Sequence, residues 1–189
     1  LLTSKIESSA IFIVVYVFIA FSLAMVIGKL LGKFTGQHFS HISHFMLTTC
    51  EGGNVALPLY TSIVGVAYAS NTVIFDLAGT LIAFVVIPIL VAQKSAGETT
   101  FKELMKKNGY LKKLLENLKI NLATIGSILK LLVVRVIFYI VVIAGFFILF
   151  PHLVAEKTYL MAVLIYFMCP TGFALPMQIS PLYKSDEDA

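Results

Sequence analysis

Charge is what this chain has least of. Only 13% of its 189 residues are Asp, Glu, Lys or Arg, against 59% hydrophobic, and the mean hydropathy is +0.94. Soluble domains carry about a quarter charged residues and about half apolar, so a soluble globular fold is excluded. Apolar stretches recur along the whole length, so a cleaved signal peptide does not account for the excess. Cysteine is scarce too. Cys50 and Cys169 each precede a segment rich in glycine and proline, and two such thiols in an apolar chain are read as inert small hydrophobes rather than a disulfide. No methionine precedes Leu1, and the expectation is that the true start lies upstream. A convergent catalytic set is also missing. His38, His41 and His44 cluster in one stretch and His152 stands at a span end, whereas an intramembrane enzyme needs facing His and Glu, or a Ser with a base. The chain is read as a non-enzyme.

What is there is sequence suited to lipid. Crossing the hydrocarbon core takes about 20 apolar residues, and candidate spans cover residues 10–27, 42–68, 72–91, 131–150 and 158–183. Residues 121–129 either extend the fourth span or end another element. Lysines concentrate between the third and fourth spans, where Lys94, Lys102, Lys106, Lys107, Lys112, Lys113 and Lys119 outnumber Glu98, Glu103 and Glu116. Between two spans such a stretch reads as a cytoplasmic loop rather than a nucleic-acid site. Its 101–118 portion has the helical periodicity of a membrane-surface helix. With 94–119 cytoplasmic, alternation runs 42–68 outward and 158–183 inward, so these two cross in opposite senses.

Those two spans share the tripeptide Ala-Leu-Pro. Residues 52–62 read GGNVALPLYTS and residues 170–180 read PTGFALPMQIS. Gly52 and Gly53 permit unusual backbone dihedrals, and Pro58 removes a donor and frees a carbonyl one turn earlier. Asn54 supplies an amide that donates and accepts. One such segment is equally well a kink in a packed helix. A pair, antiparallel and one in each half of the chain, favours two discontinuous helices, which lipid tolerates only where protein or a water-filled cavity covers the exposed backbone.

Several ionisable groups lie at or near these breaks. Glu51 directly precedes the glycine pair, at a depth where a carboxylate is costly; it either takes part in ion coupling or faces a wet vestibule. Asp76 begins the third span and faces either the cavity or the outer interface. His38, His41 and His44 are spaced three apart, but the favoured reading is an interfacial loop with solvated imidazoles, and no metal site is assigned. Asn71-Thr72 reads as a turn and helix cap.

The string GGNVALPLYTSIVG, followed by NTVIFDLAGT, resembles the auxin efflux carrier family of membrane transport proteins, and FMCPTGFALPMQ is similar to that family's second break. The resemblance implies an all-α integral membrane fold, ten helices in two inverted five-helix repeats, with a substrate site where two discontinuous crossover helices meet. It implies transport of a small organic anion, auxin-like or dicarboxylate, by alternating access and without chemical conversion. On that frame residues 1–93 supply spans of the first repeat with crossover 42–69. Residues 94–119 are the basic cytoplasmic loop or surface helix, and 120–189 supply spans of the second repeat with crossover 158–183. Several helices of the ten-helix frame are missing, so a partial chain is expected. The substrate site would draw on Gly53, Asn54 and Pro58 from the first break and on Pro170, Thr171, Gly172, Pro176 and Gln178 from the second. Glu51 and Asp76 are the coupling candidates, for a proton or sodium, and no other cofactor is expected. Expected partners are the organic anion and the bilayer, in the plasma or inner membrane, with a homodimer suggested by the family and no nucleic acid. The motif departs from the family at Glu51, where an apolar or small residue is usual, and at Ala56, where glycine is common. Two alternatives stay open: a sodium-coupled bile-acid-type or sodium/proton-exchanger-like crossover transporter, and a non-transporting membrane fragment.

Overall fold

The computed structural model describes residues 8–34, 39–95 and 122–182, and every regular element among them is helical. Helix α1 is Ser8–Leu30, and after a connection comes the single turn α2, Ser43–Met46. A π-helical turn, Gly52–Ala56, leads into α3, Leu57–Ile63. Helix α4, Ala69–Leu81, continues through a second π turn, Ile82–Val86, into α5, Ile87–Ser95. The second half holds α6, Leu122–Leu149, the short α7, Pro151–Val154, α8, Lys157–Met168, and α9, Leu175–Ile179. Among the described residues three stretches are long and apolar enough to cross a membrane: Ser9–Leu30, Val66–Lys94 and Ile125–Leu149.

These helices are apolar on every side, as lipid-facing helices are. In α1 the buried positions Ile13, Val17, Ala20, Phe21 and Ala24 recur every three or four residues, while Ile11, Phe12, Val15, Ile19 and Leu23 are exposed. Helix α6 repeats the pattern, burying Leu131, Arg135, Tyr139, Val142 and Phe146 on one stripe and exposing Leu132, Val136, Ile140 and Val141. Helix α4 packs between α1 and α8, and α8 also packs on α6. The shared interior is aromatic. Phe75 lies 5.4 Å from Phe146 and 5.9 Å from Tyr166, and Tyr139 stacks on Phe167 at 5.6 Å, all ring centroid to ring centroid. Such pairs add about 0.5–1.5 kcal/mol each beyond area burial.

The outcome differs from expectation in several places. The third span is longer than 72–91, running as one continuous rod from Ala69 to Ser95. Asn71 and Thr72 do not cap it: both are buried within α4, and the Asn71 amide lies 3.5 Å from the Tyr60 hydroxyl. Residues 122–129 extend the fourth span. Residues 42–68 are discontinuous, as the crossover reading expects: α2 is one turn long and a non-helical segment follows it. The lysine-rich loop from residue 96 onward lies outside the described residues, as does His38.

Proline explains both π turns. A proline ring collides with the carbonyl four residues back and cannot donate. Pro58 and Pro88 each stand two residues after a π turn. The wider i→i+5 turn moves that carbonyl aside, so the helix passes the proline without a sharp break.

Glycine sets the closest helix approach. A Cβ on Gly28 would lie 2.6 Å from the Cα of His44, so backbone rather than a pliable side chain would have to move. The Ser43 hydroxyl bridges the same contact, donating to the Gly28 carbonyl at 2.8 Å. Gly28→Ala is expected to destabilise the fold by about 1–3 kcal/mol, read as a lowered midpoint of thermal unfolding in detergent; an unchanged midpoint would show that α1 and α2 are not held together here.

Candidate functional site

Two non-helical segments meet inside the bundle. The first is residues 47–51, between α2 and the π turn, and the second is residues 169–174, between α8 and α9. This corrects the sequence reading of the first break. Residues 52–58 are helical, and the irregular backbone lies just upstream, where no glycine or proline marks it. Thr49 takes φ 65°, a left-handed conformation that costs a β-branched residue on the order of 1–3 kcal/mol and is held only by its surroundings.

Glu51 joins the two segments. Its backbone N–H donates to the Pro170 carbonyl at 2.8 Å, and its Oε2 accepts from the Phe173 N–H at 2.6 Å. Its Oε1 accepts from both the backbone N–H and the side-chain amide of Asn54, at 3.2 and 2.8 Å. The carboxylate is buried yet met by three N–H donors, two of them main-chain, so its charge-assisted bonds replace those of water. Thr171 adds a link, its hydroxyl donating to the Met46 carbonyl at 3.0 Å.

Beneath this junction lies Arg135. One nitrogen, Nη2, donates to the Thr49 carbonyl at 2.9 Å and the Cys169 carbonyl at 3.0 Å, thereby bridging both non-helical segments. The other, Nη1, reaches the carbonyls of Met46 at 3.2 Å and Leu47 at 3.5 Å. The guanidinium sits 4.8 Å from the Tyr139 ring centre, a cation–π contact, and the Tyr139 hydroxyl donates to the Leu47 carbonyl at 2.8 Å. Both cysteines are free thiols, and Cys50 Sγ is 3.5 Å from Nη2. Arginine fits because its planar fork offers five donors and keeps its charge. In the sequence Arg135 stands with Lys130 at the start of the fourth span. The missed signal was a guanidinium inside an otherwise apolar run, which lipid tolerates only when it faces protein.

The expected site residues distribute unevenly. Pro170, Thr171 and Gly172 lie in the junction, and a Cβ on Gly172 would come within 3.6 Å of Glu51 Oε2. Asn54 reaches the junction only through Glu51. Gly53 and Pro58 are exposed on helical turns, with open space beside Gly53. Pro176 begins α9, and Gln178 on the same helix has a buried amide oxygen with no hydrogen-bond partner. Asp76 stands on α4 facing the bundle: a Cβ on Gly52 would overlap its carboxylate, and the Tyr166 hydroxyl donates to its Oδ1 at 3.4 Å. Glu51 and Asp76 are close enough to act on one another electrostatically.

A cavity of about 160 Å³ opens beside the junction, lined by Ile42, Met46, Phe173, Leu175, Pro176 and Ile179 with Thr171 and Gly172. Its wall is mostly apolar. No group of three or more His, Cys, Asp or Glu among the described residues is placed to hold a metal ion. His44 is not solvated as expected: it is 6% exposed and its Nε2 lies 2.7 Å from Lys94 Nζ.

No family model, curated protein or solved structure matches this chain.

Replacing Arg135 by Met keeps length and apolar stem but orphans carbonyls of both segments, at about 1–3 kcal/mol for each one left unsatisfied. Arg135→Met is expected to lose most of its folded, monodisperse protein in size-exclusion chromatography. Arg135→Lys should fall between the two, since a point ammonium cannot span the same acceptors.

Proposed function

We propose that this chain is the crossover part of a secondary transporter, moving a small organic anion by alternating access with no bond made or broken. The observation that supports this most is the direct bonding between the two non-helical segments through Glu51. Irregular backbone at membrane depth carries a free-energy cost, and paired breaks in the two halves of a chain mark transporter binding sites. The neighbouring cavity is about the size of a void that holds benzene, roughly 150 Å³, so it suits the apolar part of a small carboxylate such as an auxin-like acid. The resemblance of GGNVALPLYTSIVG and FMCPTGFALPMQ to the auxin efflux carriers points the same way.

Electrostatics adds a condition. The nearest ionisable groups are the acids Glu51 and Asp76, and Arg135 is occupied by carbonyls. An anion would be repelled by ionised carboxylates unless a cation accompanied it, and on that argument our reading gives Glu51 and Asp76 the proton or sodium coupling. The same carboxylates favour a second reading, a sodium-coupled or sodium/proton-exchanging crossover transporter.

The test is uptake into proteoliposomes of a labelled auxin-like acid and of a dicarboxylate, with and without sodium and pH gradients. Asn54→Ala removes one charge-assisted bond to Glu51, worth ~1.4 kcal/mol, and should slow uptake about ten-fold in folded protein. Glu51→Gln should abolish the gradient dependence. If Asn54→Ala and Glu51→Gln both leave uptake unchanged, the junction is not the site. Sodium-driven flux without any organic anion would favour the second reading.

A further inference from the structure

At one end of the bundle, cations gather with no anion beside them among the described residues. Lys29 lies in the last turn of α1 and Lys94 in the last turn of α5. Lys94 Nζ donates to His44 Nε2 at 2.7 Å and sits 5.1 Å from the centre of the Phe45 ring. Lys29 and His41 also act on His44, and Lys29 acts on Lys94. Lys130, more than two turns into α6, has its ammonium 5.8 Å from the centre of the Phe34 ring, just beyond the end of α1. The described acids are Glu51, Asp76 and Glu156, and none of them is among the groups acting on His44 or Lys94.

Helix dipoles do not absorb this charge. The C-terminus of α1 contributes about half a negative charge, felt within its last turn. Against it stand the charges of Lys29, Lys94 and Lys130. The lysines are bordered by exposed apolar side chains: Leu30 is 74% and Phe34 60% exposed, with Leu31 beside them. Cations next to bare apolar surface at the end of membrane-length helices match a ligand with an anionic head and an acyl tail.

We propose that Lys29 and Lys94, with Lys130 at the margin, bind the phosphate of an anionic phospholipid whose acyl chain lies along Leu30, Leu31 and Phe34. The His44 Nε2 accepts a hydrogen bond from the Lys94 ammonium and so aims its remaining N–H donors. The ring of Phe45 fixes the ammonium from a second side. The lysines of this site take no part in the junction at Glu51, and the proposal does not rest on the transport reading.

Thermal unfolding of the full chain in zwitterionic detergent tests this, with dioctanoyl phosphatidylglycerol, dioctanoyl phosphatidylcholine and inorganic phosphate as probes. Phosphatidylglycerol should raise the midpoint in a saturable way and phosphatidylcholine should not. Each of Lys29→Gln and Lys94→Gln should weaken the apparent affinity about five-fold, while Lys157→Gln, at the start of α8, should leave it unchanged. Lys94→Arg, which retains the charge, should keep most of the effect and guards against a folding defect in Lys94→Gln. Equal shifts with both lipids, or full affinity in Lys29→Gln and Lys94→Gln, would overturn the proposal. A full shift with inorganic phosphate alone would overturn the lipid assignment, leaving a site for free phosphate.

Discussion

One guanidinium accounts for the irregular backbone at the centre of this protein. Four main-chain carbonyls, from Met46, Leu47, Thr49 and Cys169, point at Arg135 rather than along a helix. The carbonyls of Met46 and Leu47 also accept from the Thr171 and Tyr139 hydroxyls, whereas those of Thr49 and Cys169 depend on Arg135 in an apolar interior where an unpaired carbonyl is costly. The arginine meets this need with a single rigid group, and the carbonyls in turn solvate its charge. The dependence is mutual. Without the carbonyls the cation would be stranded beside the aromatic core, and without the cation the two segments would have no reason to stay open.

The rest of the junction builds outward from that contact. Thr49 adopts its left-handed backbone with its carbonyl bonded to Nη2, and the chain then delivers Glu51 to the second segment. Glu51 uses both ends of its residue, its N–H toward Pro170 and its carboxylate toward Phe173 and Asn54. Gly52 is required next to it, since any side chain there would strike Asp76. The aromatic layer of Phe21, Tyr139, Tyr166 and Phe167 packs around the junction and supplies the hydroxyls that reach Leu47 and Asp76. Arg135 is thus turned to carbonyls, while the Glu51 carboxyl is turned to N–H donors.

Much of this was legible before any folding was considered, and the errors are instructive. Glycine and proline pointed to a break near Gly52, because both weaken a helix by local means. The chain instead absorbed Pro58 in a π turn, as it did Pro88, and opened five residues earlier. The true opening, Leu47-Thr48-Thr49-Cys50, has no residue that demands it; its conformation is imposed by partners from α6 and from the second segment. The second break was read more nearly in place, since Pro170 and Gly172 lie within it. His44 is expected to be solvated as part of an interfacial loop, yet the close packing of α1 on α2 buries it against Lys94.

By itself the sequence determined that the chain is helical and apolar enough to enter a membrane, that two segments resist regular helix, and that one stretch is basic. Those properties follow from composition and spacing, which act over a few residues. Only the tertiary structure decided which carbonyls Arg135 serves, which backbone opens, and that Glu51 is the residue joining the two halves. The reason is distance along the chain. Arg135 is 86 positions from Thr49, and Glu51 is 122 from Phe173. Hydrogen-bond satisfaction in an interior without water is settled between such remote groups, where no local pattern records it.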